Sequence, residues 1–205
     1  MKSTKTKIAS RLLVSLLSVA MVAPMAPNYV YAQPASQSNA KLSQQQLSAL
    51  VAPIALYPDP LVSQILMAST YPLEVAEASN WQKQNSGLTG SALDSALQSQ
   101  TWDPSVKSLV SFPQALQMMG KDLTWTQNLG NAVLAQQSDV MAAIQSMRAK
   151  AKQAGNLSTT PQQTVSTSGQ TIIIQPANPQ IIYVPTYNPS VVYGPWPYPA
   201  YPPPP

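Results

Sequence analysis

The side chains that most often carry enzymatic chemistry are sparse in this sequence. It contains no His and no Cys, so serine triads, cysteine dyads and histidine acid–base catalysis lack a base or a nucleophile. Zinc and other transition metals lose their usual ligands for the same reason. Ser105 and Lys107 are close in the sequence, but residues two positions apart do not share a helix face. The seven glycines are scattered and build no phosphate-binding loop. We therefore expect no cofactor.

Carboxylates are the remaining candidates for acid–base work. Glu74 and Glu77 are spaced one helical turn apart, which suits acid–base catalysis or calcium binding; a solvated face near a helix N-terminus is the simpler interpretation. Asp59, Asp103 and Asp122 each stand at a predicted helix start, where an Asp typically caps the helix. Since a glycosidase needs two carboxyl groups at a defined separation, a carboxylate-dependent hydrolase acting on cell-wall glycan is the alternative functional hypothesis.

Aromatic residues form a second group of candidates. In the first part of the chain they stand at predicted helix ends, where core packing is the default and stacking on a glycan or peptide is the alternative. In the last part they alternate with prolines, which is typical of a spacer or of an extended ligand for a partner groove. The candidate partner contacts are Tyr183, Tyr187, Tyr193, Trp196 and Tyr198.

A helical framework must position these side chains. The densest apolar stretch of the chain after its first forty residues, Leu47–Trp81, is divided by two Tyr-Pro steps, and a Pro in the first turn of a helix costs no hydrogen bond. Asp122 precedes the longest stretch with helical spacing, 123–154, which ends at Gly155, a typical C-cap. We therefore expect a compact multi-helix domain over residues 41–155.

The composition changes after this domain. Residues 153–205 hold 12 of the 21 prolines and no charged residue. Ser168-Gly169 separates two β-rich runs, 164–167 and 171–175. A small turn between such runs predicts a β-hairpin.

Two shorter β-rich runs follow, at 180–185 and 191–193, and their prolines would confine them to sheet edges. The predicted fold class is thus mainly α. It consists of the compact multi-helix domain, a short β-hairpin segment at 156–194 and a Pro/Tyr-rich extended tail at 195–205.

The start of the chain predicts export. Four bases within residues 2–11 precede an apolar run of twelve residues, which is shorter than the ~20 residues that span a bilayer. Val30-Tyr31-Ala32 then provides a cleavage site. The pattern predicts a signal peptide, residues 1–32, cleaved between Ala32 and Gln33. The mature protein is expected in the periplasm or outside the cell, with no transmembrane segment.

Removal of the signal peptide changes the charge. Four of the 11 bases lie in that peptide, so seven bases face seven acids in the rest of the chain. A flexible leader is expected at 33–40. The only clustered bases, Arg148, Lys150 and Lys152, are expected to complement the dipole at a helix C-terminus. Capture of nucleic acid needs more clustered positive charge, so nucleic acid is not expected as a partner.

Four long motifs together resemble domain-of-unknown-function family 3300. They are Ile54–Ala76 (IALYPDPLVSQILMASTYPLEVA), Trp102–Pro113 (WDPSVKSLVSFP), Asp122–Ala132 (DLTWTQNLGNA) and Gln180–Gly194 (QIIYVPTYNPSVVYG). The resemblance implies an exported Gram-negative protein with an α-helical N-terminal part. It implies no activity and no catalytic or binding residue. It also implies that relatives carry a longer low-complexity tail.

The functional hypothesis that follows is a non-enzymatic, exported binding or structural module of the cell envelope. Its expected partner is an envelope protein or a glycan. Zero net charge and an uncharged tail also suit a self-assembling coat, and the sequence leaves the oligomeric state open.

Overall fold

The computed structural model describes residues 41–204. The predicted signal peptide and leader lie outside the described residues. The described chain is mainly helical with one antiparallel hairpin near the C-terminus, which confirms the predicted fold class. The elements are α1 (Gln44–Val51), α2 (Asp59–Ala68), α3 (Pro72–Gln84), α4 (Gly90–Gln98), α5 (Pro104–Leu109), α6 (Pro113–Lys121), α7 (Leu123–Gln153), β1 (Gln163–Ser168), β2 (Thr171–Pro176) and α8 (Pro189–Val192).

Local capping rules explain most helix starts. Ser43 forms a capping box with Gln46 at the start of α1. The carboxylates of Asp103 and Asp122 accept hydrogen bonds from the backbone N–H groups of Ser105 and Trp125, so both predicted caps are confirmed. Pro stands in the first turn of α2, α3 and α5, as the Tyr-Pro and Asp-Pro steps predict. Pro also stands in the first turn of α6, after Phe112, and of α8, after Asn188.

The core forms where the long helix α7 meets the shorter helices. α7 packs against α1, α2, α3 and α6, while α3 also packs on α6 and α2 on α5. No helix within residues 41–204 is long and apolar enough to cross a membrane. The largest fully buried apolar side chains are Leu47, Ile54, Leu61, Ile65, Leu109, Leu116, Met119, Leu129, Ile144, Met147 and Ile174.

Gly130 lets the backbone of α7 lie in direct contact with the backbone of the turn between α2 and α3. A Cβ at this position would lie 2.6 Å from the carbonyl carbon of Ser69 and 3.0 Å from the backbone nitrogen of Thr70. Such a clash with backbone atoms cannot be relieved by a side-chain rotation. The glycine therefore fixes how closely α7 approaches the two helices that the turn joins.

A break at Gln136 interrupts α7, which the sequence predicts as one continuous helix. The backbone of Gln136 leaves the helical region (φ −154°, ψ 49°). Its buried side chain accepts a hydrogen bond from the Leu42 N–H (2.8 Å) and donates one to the Leu42 carbonyl (3.2 Å). The kink thus coincides with a contact that attaches the segment before α1 to the middle of α7.

The predicted β-hairpin forms, with β1 one residue longer at both ends, β2 one residue longer at its C-terminal end, and the turn shifted by one residue from Ser168-Gly169. Ser168 pairs with Thr171, so Gly169 and Gln170 make a two-residue turn, and the positive φ of Gly169 (59°) suits it. Ile172 and Ile174 are buried, and β2 packs against α2 and α7. The hairpin therefore closes one end of the helical core.

The two later strand candidates do not form strands. Residues 180–185 contribute a single bridge, between Asn178 and Ile181. The proposed strand at 191–193 is wrong because Pro189–Val192 forms the short helix α8, whose Asn188 side chain accepts from the Ser190 N–H. An Asn-Pro step favours such a turn start over an edge strand.

Candidate functional site

The α1–α2 connection, residues 52–58, is irregular backbone that lies entirely inside the protein. Buried carbonyl and N–H groups outside a helix or strand need other hydrogen-bond partners. Local backbone turns bind most of its N–H groups. Side chains from distant parts of the chain bind the Leu56 N–H and the carbonyls of Ala52, Ala55 and Tyr57. The same connection borders a surface groove, so it organises both the fold and the candidate site.

Arg148 of α7 provides two of these hydrogen bonds and a third one to the β-hairpin. Its side chain is 2% exposed. Nε donates to the Ala55 carbonyl at 2.8 Å, and Nη2 donates to the Tyr57 carbonyl at 3.2 Å. Nη1 donates to the Ile172 carbonyl at 2.9 Å and lies 2.6 Å from Oδ1 of Asp59. One guanidinium thus joins α7, the α1–α2 connection, α2 and the hairpin.

Two sequence predictions are wrong at this point. Arg148 does not complement the dipole at the end of α7, although Lys150 and Lys152 do lie in its last turn. Asp59 is not an N-cap: Pro58 occupies that position, and the Asp59 side chain pairs with Arg148. Both errors have one cause, because the ion pair joins residues that are 89 positions apart in the sequence.

Tyr187 and Tyr193 hold the same connection from the C-terminal side. Their hydroxyls donate to the carbonyl of Ala52 at 3.0 and 2.5 Å, and the Tyr187 hydroxyl also accepts from the Leu56 N–H at 3.3 Å. Trp125 of α7 donates from Nε1 to the carbonyl of Leu50, just before the connection. The C-terminal segment is therefore attached to the helical core by hydrogen bonds as well as by packing.

Four of the five predicted contact residues form one aromatic row with Tyr57. Consecutive ring centroids lie 5.9–6.3 Å apart, mostly edge to face, and Lys150 Nζ lies 5.9 Å from the centroid of the last ring. In order, the row is Tyr57, Tyr187, Tyr193, Trp196 and Tyr198.

The residues of the aromatic row differ in what they can offer a partner. Tyr193 is buried, whereas Tyr187, Trp196 and Tyr198 are half-buried. Tyr183 lies outside the row and is 51% exposed. Partner contact by these residues stays a prediction, and Tyr183 has the largest free surface of the five.

Burial changes the acidity of the tyrosines around the connection. Desolvation raises the pKa of Tyr57 and of Tyr193 above the usual 10, and it raises the pKa of Tyr187 well above that value. In the folded protein these phenols therefore keep their protons at pH values where an unfolded chain would lose them.

The free energy of unfolding should therefore fall as the pH rises above about 10. From there up to the folded-state pKa values, the unfolded chain binds fewer protons than the folded chain, so each buried phenol lowers stability by up to ~1.4 kcal/mol per pH unit. Urea unfolding at pH 8 and pH 11 measures the difference. Tyr193→Phe should reduce it, whereas Tyr183→Phe, at an exposed position, should not. Equal stability of the wild type at both pH values would contradict this assignment.

A groove of about 260 Å³ lies beside the aromatic row. One wall comes from the α1–α2 connection, the second from the first turns of α6, and the third from the C-terminal segment. None of the lining residues is charged. They are Pro53, Tyr57, Gln114, Met118, Val184, Pro185, Thr186, Tyr187 and Pro189.

The predicted solvated face of α3 instead holds the start of α5. Glu74 Oε2 accepts from the Asp103 N–H at 2.6 Å, and Glu77 Oε2 accepts from Trp102 Nε1 at 3.1 Å. Trp102 packs edge to face on Trp81, with ring centroids 5.9 Å apart. The solvated interpretation was therefore incomplete, because these carboxylates position the α4–α5 junction.

In the same cluster, the pKa of Asp103 is shifted in the direction opposite to that of an acid catalyst. The hydrogen bonds from Ser105 lower the pKa of Asp103, whereas a general acid needs a raised carboxyl pKa. The charge of Asp103 raises the pKa of the neighbouring Tyr71. Within residues 41–204 no group of three or more acidic side chains could hold a metal ion.

Comparisons with known proteins agree with the resemblance of the four motifs. A family model described as "Protein of unknown function (DUF3300)" matches residues 43–204. A curated protein of Escherichia coli (strain K12), "Uncharacterized protein YacH", is 39% identical over 211 aligned positions, which cover 86% of this chain and 34% of that protein. This chain thus spans about a third of the length of that relative. No solved structure matches.

Proposed function

This chain belongs to the DUF3300 family, and from that premise we propose that it is a non-enzymatic, exported binding or structural module of the bacterial cell envelope. The observation that carries the proposal is that the C-terminal segment is held against the helical core and contains no charged residue. Tyr187 and Tyr193 attach the segment to the core. Ile181 (64%) and Tyr183 (51%), which precede these two tyrosines, and Val191 (64%), which lies between them, stay largely exposed.

Such an arrangement suits binding to another molecule. Exposed apolar side chains on a segment that is already ordered lose little conformational entropy on association. Tyr in particular offers a large contact area with a polar tip. The signal-peptide pattern supports the envelope as the location. The balance of seven bases and seven acids after cleavage gives no support to capture of nucleic acid.

Affinity capture from envelope extracts with point variants tests the proposal. Combined substitution of Ile181, Tyr183 and Val191 by Ser should abolish recovery of the partner. The matched control replaces Leu73 and Leu134 by Ser. These two residues are 78% and 74% exposed and lie outside the C-terminal segment, so recovery should stay unchanged. Mass spectrometry of the exported chain should give Gln33 as its first residue. Equal recovery by both variants, or retention in the cytoplasm, would contradict the proposal.

The alternative function is the carboxylate-dependent hydrolase acting on cell-wall glycan. In its favour, Glu74, Glu77 and Asp103 meet around Trp102. Against it, a backbone N–H, an indole N–H and a Ser hydroxyl already occupy oxygens of these three carboxylates. The same protein preparations, incubated with purified cell-wall glycan, distinguish the two functions. Release of soluble fragments would favour the hydrolase.

A further inference from the structure

The groove beside the aromatic row has the chemistry of a site for proline-rich chain. The rings of Tyr57 and Tyr187 meet at 80° with centroids 6.0 Å apart, and Pro53, Pro185 and Pro189 add further rings to the walls. Grooves that bind polyproline II segments are lined by aromatic side chains in this way. The volume of about 260 Å³ lies below the 300–1,000 Å³ range of small-molecule pockets, and it suits a short stretch of chain that crosses the groove.

Polar groups in the groove complement such a segment. A polyproline II helix has no internal hydrogen bonds, so its carbonyl groups are free acceptors. Besides the hydroxyls of Thr186 and of Tyr187, which donates to Ala52, the groove contains two donors: Tyr57 through its hydroxyl and Gln114 through its side-chain amide. Within residues 41–204 neither donor has a hydrogen-bond partner, and Gln114 is exposed. Because no charged residue lines the groove, a charged peptide gains nothing there.

We propose that this groove binds the proline-rich C-terminal segment of a second copy of the chain. The inference goes beyond the proposed function, because the groove is a second binding surface, separate from Ile181, Tyr183 and Val191. Residues 195–205 contain seven prolines and no charge, which matches the uncharged, ring-lined walls. Within one copy, Trp196 Nε1 donates to the carbonyls of Tyr198 and Tyr201. These bonds turn the segment around Trp196, and the run of prolines that follows Tyr201 is the part offered to the second copy.

Titration of a peptide with the sequence of residues 198–205 (YPAYPPPP) tests the groove. The receptor is the chain of residues 33–201, which lacks the last four prolines but keeps both bonds of Trp196. Calorimetry should show saturable binding that disappears when the prolines of the peptide are replaced by Ala. Gln114→Ala and Tyr57→Phe should each weaken binding about fivefold, the effect of one lost hydrogen bond. Gln127→Ala, which removes an exposed amide outside the groove, should not change it.

Sedimentation tests whether the donor of the segment is a second copy. The chain of residues 33–205 should associate as its concentration rises, whereas the chain of residues 33–201 should stay monomeric. Lack of peptide binding, binding unchanged by both groove substitutions, or a strictly monomeric chain of residues 33–205 would each overturn the inference. Ile181, Tyr183 and Val191 do not line the groove, so partner capture through them can persist when the groove inference fails.

Discussion

Arg148→Met should lower the free energy of unfolding by about 3 kcal/mol or more, because three buried carbonyl groups lose their donor at a cost of about 1–3 kcal/mol each. The substitution leaves the carbonyls of Ala55, Tyr57 and Ile172 without their donor in the protein interior. It also leaves the carboxylate of Asp59 without its cation. Met fills most of the space that Arg occupies. The fall in the free energy of unfolding therefore comes mainly from the lost hydrogen bonds and charge, and less from a cavity. Urea unfolding followed by circular dichroism measures the change.

Two variants isolate the role of the guanidinium. Lys152→Met removes a charge in the same last turns of α7, where the side chain is exposed, and should cost less than about 0.5 kcal/mol. Asp59→Asn should cost less than Arg148→Met, because its carboxylate is 39% exposed and the guanidinium keeps its three carbonyl partners. A loss for Arg148→Met no larger than that for Lys152→Met would refute the central role of this residue.

A chain that ends at Pro179 should lose its cooperative thermal transition. Without Tyr187 and Tyr193, the Ala52 carbonyl and the Leu56 N–H lose their hydrogen-bond partners in the protein. Each such loss costs about 0.5–1.5 kcal/mol, and the burial of each of the two rings contributes about 1.5–3 kcal/mol more. The sum is on the order of 5 kcal/mol, the lower end of the total stability of a domain.

The chain that ends at Tyr201 is the matched control for this truncation. It keeps Tyr187, Tyr193 and both hydrogen bonds of Trp196, so its melting temperature should equal that of the longer chain. A chain ending at Pro179 that melts at the same temperature as the control would show that the C-terminal segment is dispensable for folding. The expected result also explains why binding should be tested with point variants, since truncation removes fold and surface together.

Local sequence rules predicted the parts of this fold that depend on neighbouring residues. The caps at Asp103 and Asp122 and the turn at Gly169 each depend on residues within a few positions, so their side-chain types were sufficient. The apolar spacing of Leu47–Trp81 likewise predicted a buried framework. The same rules failed at 191–193, where β-rich composition was outweighed by an Asn cap followed by Pro.

The parts that escaped prediction depend on contacts between distant positions. Arg148 bonds to Ala55 across 93 positions, and Gln136 bonds to Leu42 across 94. Nothing local distinguishes either residue from an exposed polar residue on a helix. For the groove, only two of its parts were recognisable in the sequence, the Tyr57-Pro step and the motif at Gln180–Gly194. Both contain tyrosines close to prolines, but no spacing rule predicts that these two parts meet.

The attachment of the α1–α2 connection by Tyr193 also sets an order of events during synthesis. The two residues that meet, Ala52 and Tyr193, are 141 positions apart, so the first helices leave the ribosome long before their last hydrogen-bond donor exists. Contacts of such long sequence separation form late, because the intervening chain must first be brought together. The core therefore stays incomplete until Tyr193 has been synthesised. For a chain that is exported as proposed, we expect this delay to keep the chain unfolded long enough to pass through a membrane channel.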